Sequence, residues 1–333
     1  MIMFENKRIL ITGGTGSLGR ALTKRLLTEK VDVIRIFSRN ENKQVTMQSE
    51  FNDDRLRFLI GDVRDLPRLE RALEGIDIVF HAAALKHVPV IEYNPFEAIN
   101  TNVIGSRNVV EACLSENVGT VIGVGTDKAV SPLNTYGATK LLMEKLFTTA
   151  SNYLDKDRHK TKFVSLRYGN VLGSSGSVIP KFIQQIKANK KITITDPEMT
   201  RFSITMDEAL DFILESTITG KGSEVFIPKL RAYRIDDVKV ALQELISNTG
   251  EEKIPVRQGE KFHETLINPD EMRTTLESES RYMILQRKIS DQEINERYPG
   301  FKRITLTKPY SSNTVEKIQI DELKNILSKS DLL

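Results

Sequence analysis

A glycine-rich segment near the N-terminus constrains the fold of this chain more than any other feature. Residues 12–19 read TGGTGSLG and lie between an apolar β-type run, Arg8–Thr12, and a stretch with leucine and alanine at helical spacing, residues 17–28. Glycines allow a tight turn and the close approach of a pyrophosphate to the backbone, and the first turn of a helix offers free N–H groups. A glycine turn without a ligand is the alternative, but the order of strand, loop and helix favours a dinucleotide-binding unit.

The remainder of the first half alternates strands with helices. Strands are predicted at residues 31–38, 57–60, 76–81, 120–124 and 162–167, and helices at residues 66–73, 98–117 and 136–151. Such alternation is typical of a parallel sheet with helices on both faces. After residue 170 the pattern is mixed, with helices predicted at residues 180–189, 206–217 and 235–245, and the last fifty residues look polar and irregular.

These patterns predict an α/β fold with two parts. We expect residues 1–170 to form a Rossmann-type doubly wound parallel sheet that binds the dinucleotide. Residues 171–333 are expected to form a smaller mixed C-terminal lobe that binds substrate, with some of its strands or helices returning to the first domain.

Composition excludes several classes of protein. A net charge of +3 is too balanced to indicate nucleic acid binding. The single cysteine, Cys113, rules out an internal disulfide and fits a reducing cytosol. The sequence has no secretory h-region and no run of about 18 apolar residues, so we expect a cytoplasmic protein without a membrane span. No metal site is expected.

The residues predicted to hold the cofactor lie at strand ends and in the loops that follow them. NAD-preferring folds place an acid about 20 residues after the glycine loop, at the ribose 2′-hydroxyl. This chain has Ser38 and Arg39 there, followed by Asn40 and Lys43, and a hydroxyl with a cation suits the 2′-phosphate of NADP. The alternative is that these residues form an ordinary solvated loop, with Arg39 facing water. The predicted cofactor set also contains Gly13, Thr15, Gly16, Ser17, Leu18, Gly19, Asp62, Val63, Ala82, Thr126, Tyr136, Lys140 and Val171.

Residues 124–140, VGTDKAVSPLNTYGATK, carry the candidate chemistry. Tyr136 and Lys140 are one helical turn apart, a spacing that is common by chance but informative beside the glycine loop. A nearby ammonium and a cationic nicotinamide favour the phenolate of a tyrosine, whose ordinary pKa is about 10. We therefore expect Tyr136 to remove a proton from a sugar hydroxyl, with Thr126 sharing the path of that proton.

The segments TGGTGSLG, GDVRD, HAAALKHV, TDKA, YGATK and RYGNV together resemble the extended short-chain dehydrogenase/reductase superfamily. Roughly over residues 7–270, the chain is similar to the inverting UDP-N-acetylglucosamine 4,6-dehydratases of pseudaminic acid biosynthesis, which are hydro-lyases. The resemblance implies UDP-N-acetylglucosamine as substrate, a tightly bound NADP regenerated at each turnover, and a homo-oligomer. Retaining relatives typically carry Asp-Glu where this chain has Asp127-Lys128, and the inverting family carries Asp-Lys.

The resemblance also implies a mechanism. Tyr136 takes the O4 proton as hydride passes from C4 to NADP⁺; Lys128 then removes the C5 proton while Asp127 protonates the departing 6-hydroxyl. Hydride returns to C6, and a proton is added to the opposite face of C5, giving UDP-2-acetamido-2,6-dideoxy-β-L-arabino-hex-4-ulose. A lysine base must be partly neutral, so we expect burial and nearby cations, Lys140 among them, to lower the pKa of Lys128. Desolvation is expected to raise the pKa of Asp127 and keep it protonated.

Six further residues are assigned to the sugar nucleotide by the resemblance. Arginine suits a diphosphate because its fork donates two hydrogen bonds at once. One departure is Ser175, which stands where relatives often have arginine, and it puts fine substrate selection in question. The predicted substrate set is Lys86, Asn170, Thr195, Arg201, Arg257 and Glu260.

Three alternatives stay open. A 4-epimerase uses the same tyrosine and cofactor but returns hydride to C4. A dehydratase/5-epimerase of capsule sugar synthesis can have methionine at the position of Tyr136. A non-catalytic, NADP-sensing regulator would tend to lose the Tyr136–Lys140 pair, which this chain keeps.

Overall fold

One ten-stranded sheet organises the fold, in a computed structural model that describes residues 4–151, 159–174, 176–330 and 332–333. The first half supplies strands whose neighbours all run parallel, in the order β3-β2-β1-β4-β5-β6. The chain moves outward from β1 in both directions, which places a switch point between β1 and β4. These strands are β1 (Arg8–Thr12), β2 (Val33–Ser38), β3 (Leu56–Ile60), β4 (Ile78–His81), β5 (Thr120–Val124) and β6 (Lys162–Leu166).

Helices cover both faces of this sheet, as the sequence pattern predicts. Ile9 and Ile11 of β1 lie in one buried cluster and Leu10 lies in the other, because side chains alternate along a strand. A π-helical turn, Ile99–Ile104, interrupts the continuous helix predicted at residues 98–117. The helices are α1 (Ser17–Leu26), α2 (Glu41–Phe51), α3 (Leu66–Leu73), α4 (Val88–Tyr93), α5 (Pro95–Ala98), α6 (Gly105–Ser115) and α7 (Thr135–Ala150).

The second half adds strands to the large sheet and builds three small sheets. β10 pairs in parallel with β6, and β15, β14 and β16 follow it in antiparallel order. The small sheets are β11-β9-β7, β12-β8 and β13-β17. The domain boundary at residue 170 stays a prediction. The elements are β7 (Asn170–Val171), α8 (Val178–Lys187), β8 (Ile192–Ile194), β9 (Thr200–Ile204), α9 (Met206–Thr219), β10 (Val225–Pro228), β11 (Ala232–Arg234), α10 (Ile235–Leu245), β12 (Glu251–Lys253), β13 (Thr265–Ile267), β14 (Thr275–Glu277), β15 (Arg281–Ile284), α11 (Asp291–Arg297), β16 (Lys302–Arg303), β17 (Tyr310–Ser311) and α12 (Ile320–Lys329).

The secondary structure also differs from the sequence prediction in α2, in α4 and α5, and at the C-terminus. Helix α2 was not predicted, because only Gln44 and Met47 of its polar sequence are buried. The expectation of an irregular C-terminus is wrong: α11, α12 and two short strands lie there. Helix α12 packs on α10 through Leu323 and Leu327, four residues apart, and exposes its charged side chains to water.

The part of the chain that the structure describes contains no helix long and apolar enough to cross a membrane. Within those same residues, no group of three His, Cys, Asp or Glu side chains is arranged to hold a metal ion. The free cysteine, Cys113, is buried in α6, and burial raises the pKa of its thiol. This thiol therefore has little thiolate character near neutral pH.

Candidate active site

A cavity of about 600 Å³ lies at the carboxyl ends of the parallel strands. All the residues predicted to hold the cofactor line it, from the glycine loop after β1 to Val171 in β7. Thr126, Lys128, Lys86 and Asn170 line the same cavity. The structure therefore brings most of the predicted site residues to one place, as parallel strands sharing an edge require.

The glycine loop leaves room for a ligand because its backbone is close to neighbouring backbone. Gly13 has a φ of +67°, and a Cβ there would lie 2.8 Å from the backbone of Ala83. A Cβ on Gly19 would lie 2.5 Å from the Cα of Gly14. Gly16, the N-cap residue of α1, has no side chain to cap the first turn. The N–H groups of that turn are therefore available to an anion in the cavity.

A hydroxyl and an arginine lie at the end of β2, where the sequence predicts them. The Ser38 hydroxyl accepts hydrogen bonds from Thr15 Oγ1 at 3.2 Å and Gln44 Nε2 at 3.0 Å. Arg39 is half exposed, and its Nη1 lies 3.7 Å from Asp62 Oδ2. Burial opposes ionisation of Asp62, but Arg64 and Arg39 outweigh it and lower its pKa. Arg39 and Lys43 both line the cavity beside Ser38.

Tyr136 and Lys140 begin helix α7, but they do not act on each other as predicted. Lys140 is buried, and its Nζ donates to the carbonyl of Val124 at 2.6 Å. Burial lowers the pKa of Lys140 to about 7, against the opposing effect of Glu144. Burial also raises the pKa of Tyr136, and the cation that opposes this increase is Lys128. The expectation of a lowered tyrosine pKa is wrong here, because desolvation outweighs that attraction.

Asp127 and Lys128 lie side by side in a 3₁₀ turn, Asp127–Ala129, with Thr126 as its N-cap. Lys128 Nζ donates to Asp127 Oδ1 at 3.0 Å and to Asn170 Oδ1 at 3.5 Å. Thr126 Oγ1 also donates to Asp127 Oδ1, at 3.0 Å. The Asp127 side chain is 1% exposed, whereas that of Lys128 is 25% exposed and reaches the cavity. An acid is thus held beneath a cation at the cavity wall.

A second carboxylate changes the protonation of this pair. Glu264 Oε1 lies 3.2 Å from Lys128 Nζ. Burial alone would lower the pKa of Lys128, but Asp127 and Glu264 outweigh it and raise the pKa. The predicted lowering for Lys128 is therefore wrong. For Asp127 the predicted direction is confirmed, because burial raises its pKa more than Lys128 lowers it.

The other predicted substrate residues lie in the C-terminal half, outside the cavity lining. Arg201 Nη2 lies 3.6 Å from Glu260 Oε1, and the Arg257 N–H donates to Glu260 Oε2 at 3.3 Å. Thr195 Oγ1 lies 3.4 Å from the sulfur of Met199. Ser175 lies outside the described residues. Arg201 Nε lies 4.0 Å from Oε1 of Glu264, the carboxylate that contacts Lys128.

Sequence reasoning missed three charged residues near this site. They are Glu264, Lys261 beside it, and Arg64, which holds Asp62. Glu264 ends residues 256–264, VRQGEKFHE, four residues after Glu260, and an acid repeated beside a predicted substrate residue was its signal in the sequence.

Comparison with known proteins places the chain in a family. Residues 9–286 match the family described as polysaccharide biosynthesis protein. The chain belongs to this family. A Campylobacter jejuni member named UDP-N-acetylglucosamine 4,6-dehydratase (inverting) is 46% identical over 294 residues, 87% of this chain and 86% of that protein. A Rickettsia felis protein named UDP-glucose 4-epimerase is 40% identical over 337 residues, 99% of this chain and 97% of that protein.

A solved structure supports the same assignment. The X-ray structure of Pen from Bacillus thuringiensis is 40% identical and superposes with a TM-score of 0.92, covering 99% of this polysaccharide biosynthesis protein and 100% of Pen. The predicted Rossmann-type fold and the resemblance to the extended short-chain dehydrogenase/reductase superfamily are confirmed. The chain is an enzyme of that superfamily. The names of its relatives divide between two reactions, dehydration and epimerisation.

Proposed function

We propose that this enzyme is a UDP-N-acetylglucosamine 4,6-dehydratase that inverts C5 and uses NADP. One observation carries the proposal: the Asp127–Lys128 pair, joined at 3.0 Å, stands at the wall of the cavity that Tyr136 lines. Elimination of water needs a base for the C5 proton and an acid for the departing hydroxyl. Epimerisation at C4 needs neither group. The identity to the Campylobacter jejuni dehydratase supports this choice.

The residues of the cavity fit a dinucleotide with a 2′-phosphate. The open N–H groups at the start of α1 suit the pyrophosphate, and Ser38, Arg39, Asn40 and Lys43 would surround the 2′-phosphate. When bound, the nicotinamide supplies hydride chemistry, removing hydride from C4 and returning it to C6. Tyr136, as the phenolate that a bound cationic nicotinamide would favour, accepts the proton of the 4-hydroxyl, and Thr126 shares it.

The Asp127–Lys128 pair reaches its working state by moving one proton. Asp127 and Glu264 raise the pKa of Lys128, which favours its ammonium, and burial raises the pKa of the neighbouring Asp127 carboxyl group. Transfer of that proton from Nζ to Oδ1 gives an amine and a carboxylic acid at once. The amine of Lys128 then takes the C5 proton, the acid of Asp127 gives its proton to the 6-hydroxyl, and water leaves as the C5–C6 double bond forms. The pair is thereby returned to the ion-pair state of the structure.

Substrate binding is assigned to residues on both sides of the pair. Lys86 and Asn170 line the cavity. Arg201 donates to the carbonyls of Thr200 and Phe262, at 2.8 and 3.1 Å, which fixes its guanidinium. With Arg257 and Glu260 it would bind the diphosphate and uridine end of the substrate, and Thr195 lies nearby in the chain. The assembly is proposed to be a homo-oligomer.

The test is NMR of the purified protein with UDP-N-acetylglucosamine in D₂O. We expect a 4-keto-6-deoxy sugar of L-arabino configuration that carries deuterium at C5. A 4-epimerase is the second candidate, favoured by the Rickettsia felis relative that covers nearly the whole chain. A product that keeps its 6-hydroxyl, with only C4 changed, would establish the epimerase and remove the proposed role of Asp127 and Lys128.

Cofactor preference gives a separate prediction. Arg39→Ala is expected to weaken NADP binding about tenfold or more, because a charge-assisted contact to phosphate is lost. Binding of NAD should change little. Titration calorimetry with both dinucleotides measures the difference, and Arg107→Ala is the matched control: Arg107 is 51% exposed, against 53% for Arg39, and is paired with Glu111 on α6. Equal losses for NADP and NAD in Arg39→Ala would contradict the NADP assignment.

A further inference from the structure

Glu264 completes a charged cluster beneath the proposed acid–base pair. Its side chain is buried, with Oε1 3.2 Å from Lys128 Nζ and Oε2 3.8 Å from Lys261 Nζ. Lys128 Nζ thus lies between two carboxylates, with Asp127 Oδ1 at 3.0 Å on its other side. Neither Asp127 Oδ2 nor Glu264 Oε2 has a hydrogen-bond partner among the described residues, although both atoms are buried.

The backbone, rather than Lys128, fixes the position of Glu264. Its N–H donates to Ser312 Oγ at 2.9 Å, and its carbonyl accepts from the Ser312 N–H at 2.8 Å and from Ser311 Oγ at 2.9 Å. Ser312 also hydrogen-bonds Thr200 of β9 at 2.7 Å. The C-terminal strand β17 and the residue after it therefore hold this carboxylate in place under Lys128.

We propose that Glu264 is a positioning residue whose carboxylate orients the Lys128 ammonium and keeps a shared proton on the Asp127–Lys128 pair. This inference rests on the proposed dehydration, in which that proton is divided between the two groups. Glu264 is placed to act through Lys128, since its carboxylate lies 3.2 Å from that lysine while its backbone is held by Ser311 and Ser312.

The charge of Glu264 has a definite effect on the pH range of the pair. With two protons the pair has no base, with none it has no acid, and with one it can do both tasks. A carboxylate beside the pair favours each protonated state, so it raises both limits of the active range. Glu264 stays ionised although buried, because Lys128, Arg201 and Lys261 lower its pKa.

Other charged and titratable groups face the same cluster and set its balance. Arg201 of β9 and Lys261, which lies in the same loop as Glu264, are cations that favour the deprotonated form of the Asp127–Lys128 pair. Their effect is opposite to that of Glu264. The charges of Asp127 and Lys128 also act on Tyr136 of α7, which lines the cavity, and on Tyr233 of β11, which is buried. Because these groups are unchanged in a Glu264 variant, a displacement of the pH range would report the one charge that is removed.

The test is the pH profile of kcat/KM for dehydration in Glu264→Gln. Both limbs are expected to move toward lower pH by about one unit. Glu264→Asp keeps the negative charge but places it farther from Lys128, because the side chain is one methylene shorter. Both limbs should therefore move toward lower pH by less than they do in Glu264→Gln. Glu277→Gln is the control, since Glu277 is another buried acid, paired with Lys229 at 3.5 Å outside the cavity, and its limbs should coincide with wild type.

A purely structural role would lower kcat/KM equally at every pH and leave the limbs in place, which would overturn the inference. Failure of the proposed function looks different, because wild type would then release no 6-deoxy product. In that event the inference is still tested by the ¹³Cε signal of Lys128, assigned by its loss in Lys128→Gln. It should titrate at lower pH in Glu264→Gln than in wild type, and an unchanged titration would overturn the proposal.

Discussion

Lys128→Ala is expected to slow elimination of water by about 10³-fold, the usual range for loss of a positioned general base. The side chain is the cation of the cluster and the group that reaches the cavity from the 3₁₀ turn, Asp127–Ala129. Without it, the amine that lies beside the Asp127 carboxyl group at the cavity wall, and that is proposed to take the C5 proton, is lost. Formation of the 6-deoxy product, followed by NMR in D₂O, measures the loss.

Lys128→Ala also leaves two carboxylates, Asp127 and Glu264, without the cation between them. A control must therefore separate the loss of positive charge from the loss of the general base. Lys128→Arg keeps a positive charge there but cannot lose its proton near neutral pH. We expect it to fold like wild type and to be as inactive as Lys128→Ala. Substantial dehydration by the arginine variant would show that the cation alone suffices, and the assignment of Lys128 as base would fall.

The architecture could be predicted because its signals are local. The glycine loop fixes a strand before it and a helix after it, and alternating apolar runs define the parallel strands on either side. The predicted strands β1 to β6 were found within about two residues of their predicted ends. Helix α2 escaped prediction because only two of its residues, Gln44 and Met47, are buried, and the C-terminal helices escaped because charged residues surround their few buried aliphatic side chains.

The site was predicted as a set of residues but not as an electrostatic environment. Strand-end motifs converge because parallel strands share one edge, so Thr126, Lys128 and Asn170 could be placed together from order alone. Glu264 comes from a distant loop that only the tertiary fold brings to Lys128. Glu264 adds to the effect of Asp127 in raising the pKa of Lys128, and this contribution from a distant loop could not be derived from the sequence.

The same fold contains a buried ionic group that we expect to stabilise it strongly. Arg167, at the end of β6, is 1% exposed and donates to both oxygens of Glu144 at 2.6 Å. Its guanidinium also binds Glu271, at 2.9 and 2.6 Å, and the carbonyl of Leu266 at 3.0 Å. It therefore ties α7, the helix that carries Tyr136 and Lys140, to the C-terminal half.

Arg167→Met is expected to lower the free energy of unfolding by about 3–5 kcal/mol, because it leaves buried carboxylates without their counter-ion. Burial would raise the pKa of Glu271, yet Arg167 lowers it, so this pair stabilises the protein above the ordinary pKa of a glutamate and less as pH falls below it. The difference in free energy of unfolding between variant and wild type, measured by urea denaturation, should therefore become smaller as the pH is lowered below the ordinary pKa of a glutamate.

Arg231→Met is the matched control for that measurement. Arg231 makes a bidentate pair with Glu322, but both side chains are more than 40% exposed, so its loss should cost about 1 kcal/mol or less. Each variant removes one guanidinium, which in Arg167 donates to four carboxylate oxygens in a mostly buried group and in Arg231 to two oxygens of an exposed glutamate, so the contrast compares a buried ionic group with an exposed ion pair. If the two variants lost equal stability, the buried group would be no more than an ordinary ion pair, and the rigid placement of α7 against the C-terminal half would need another cause.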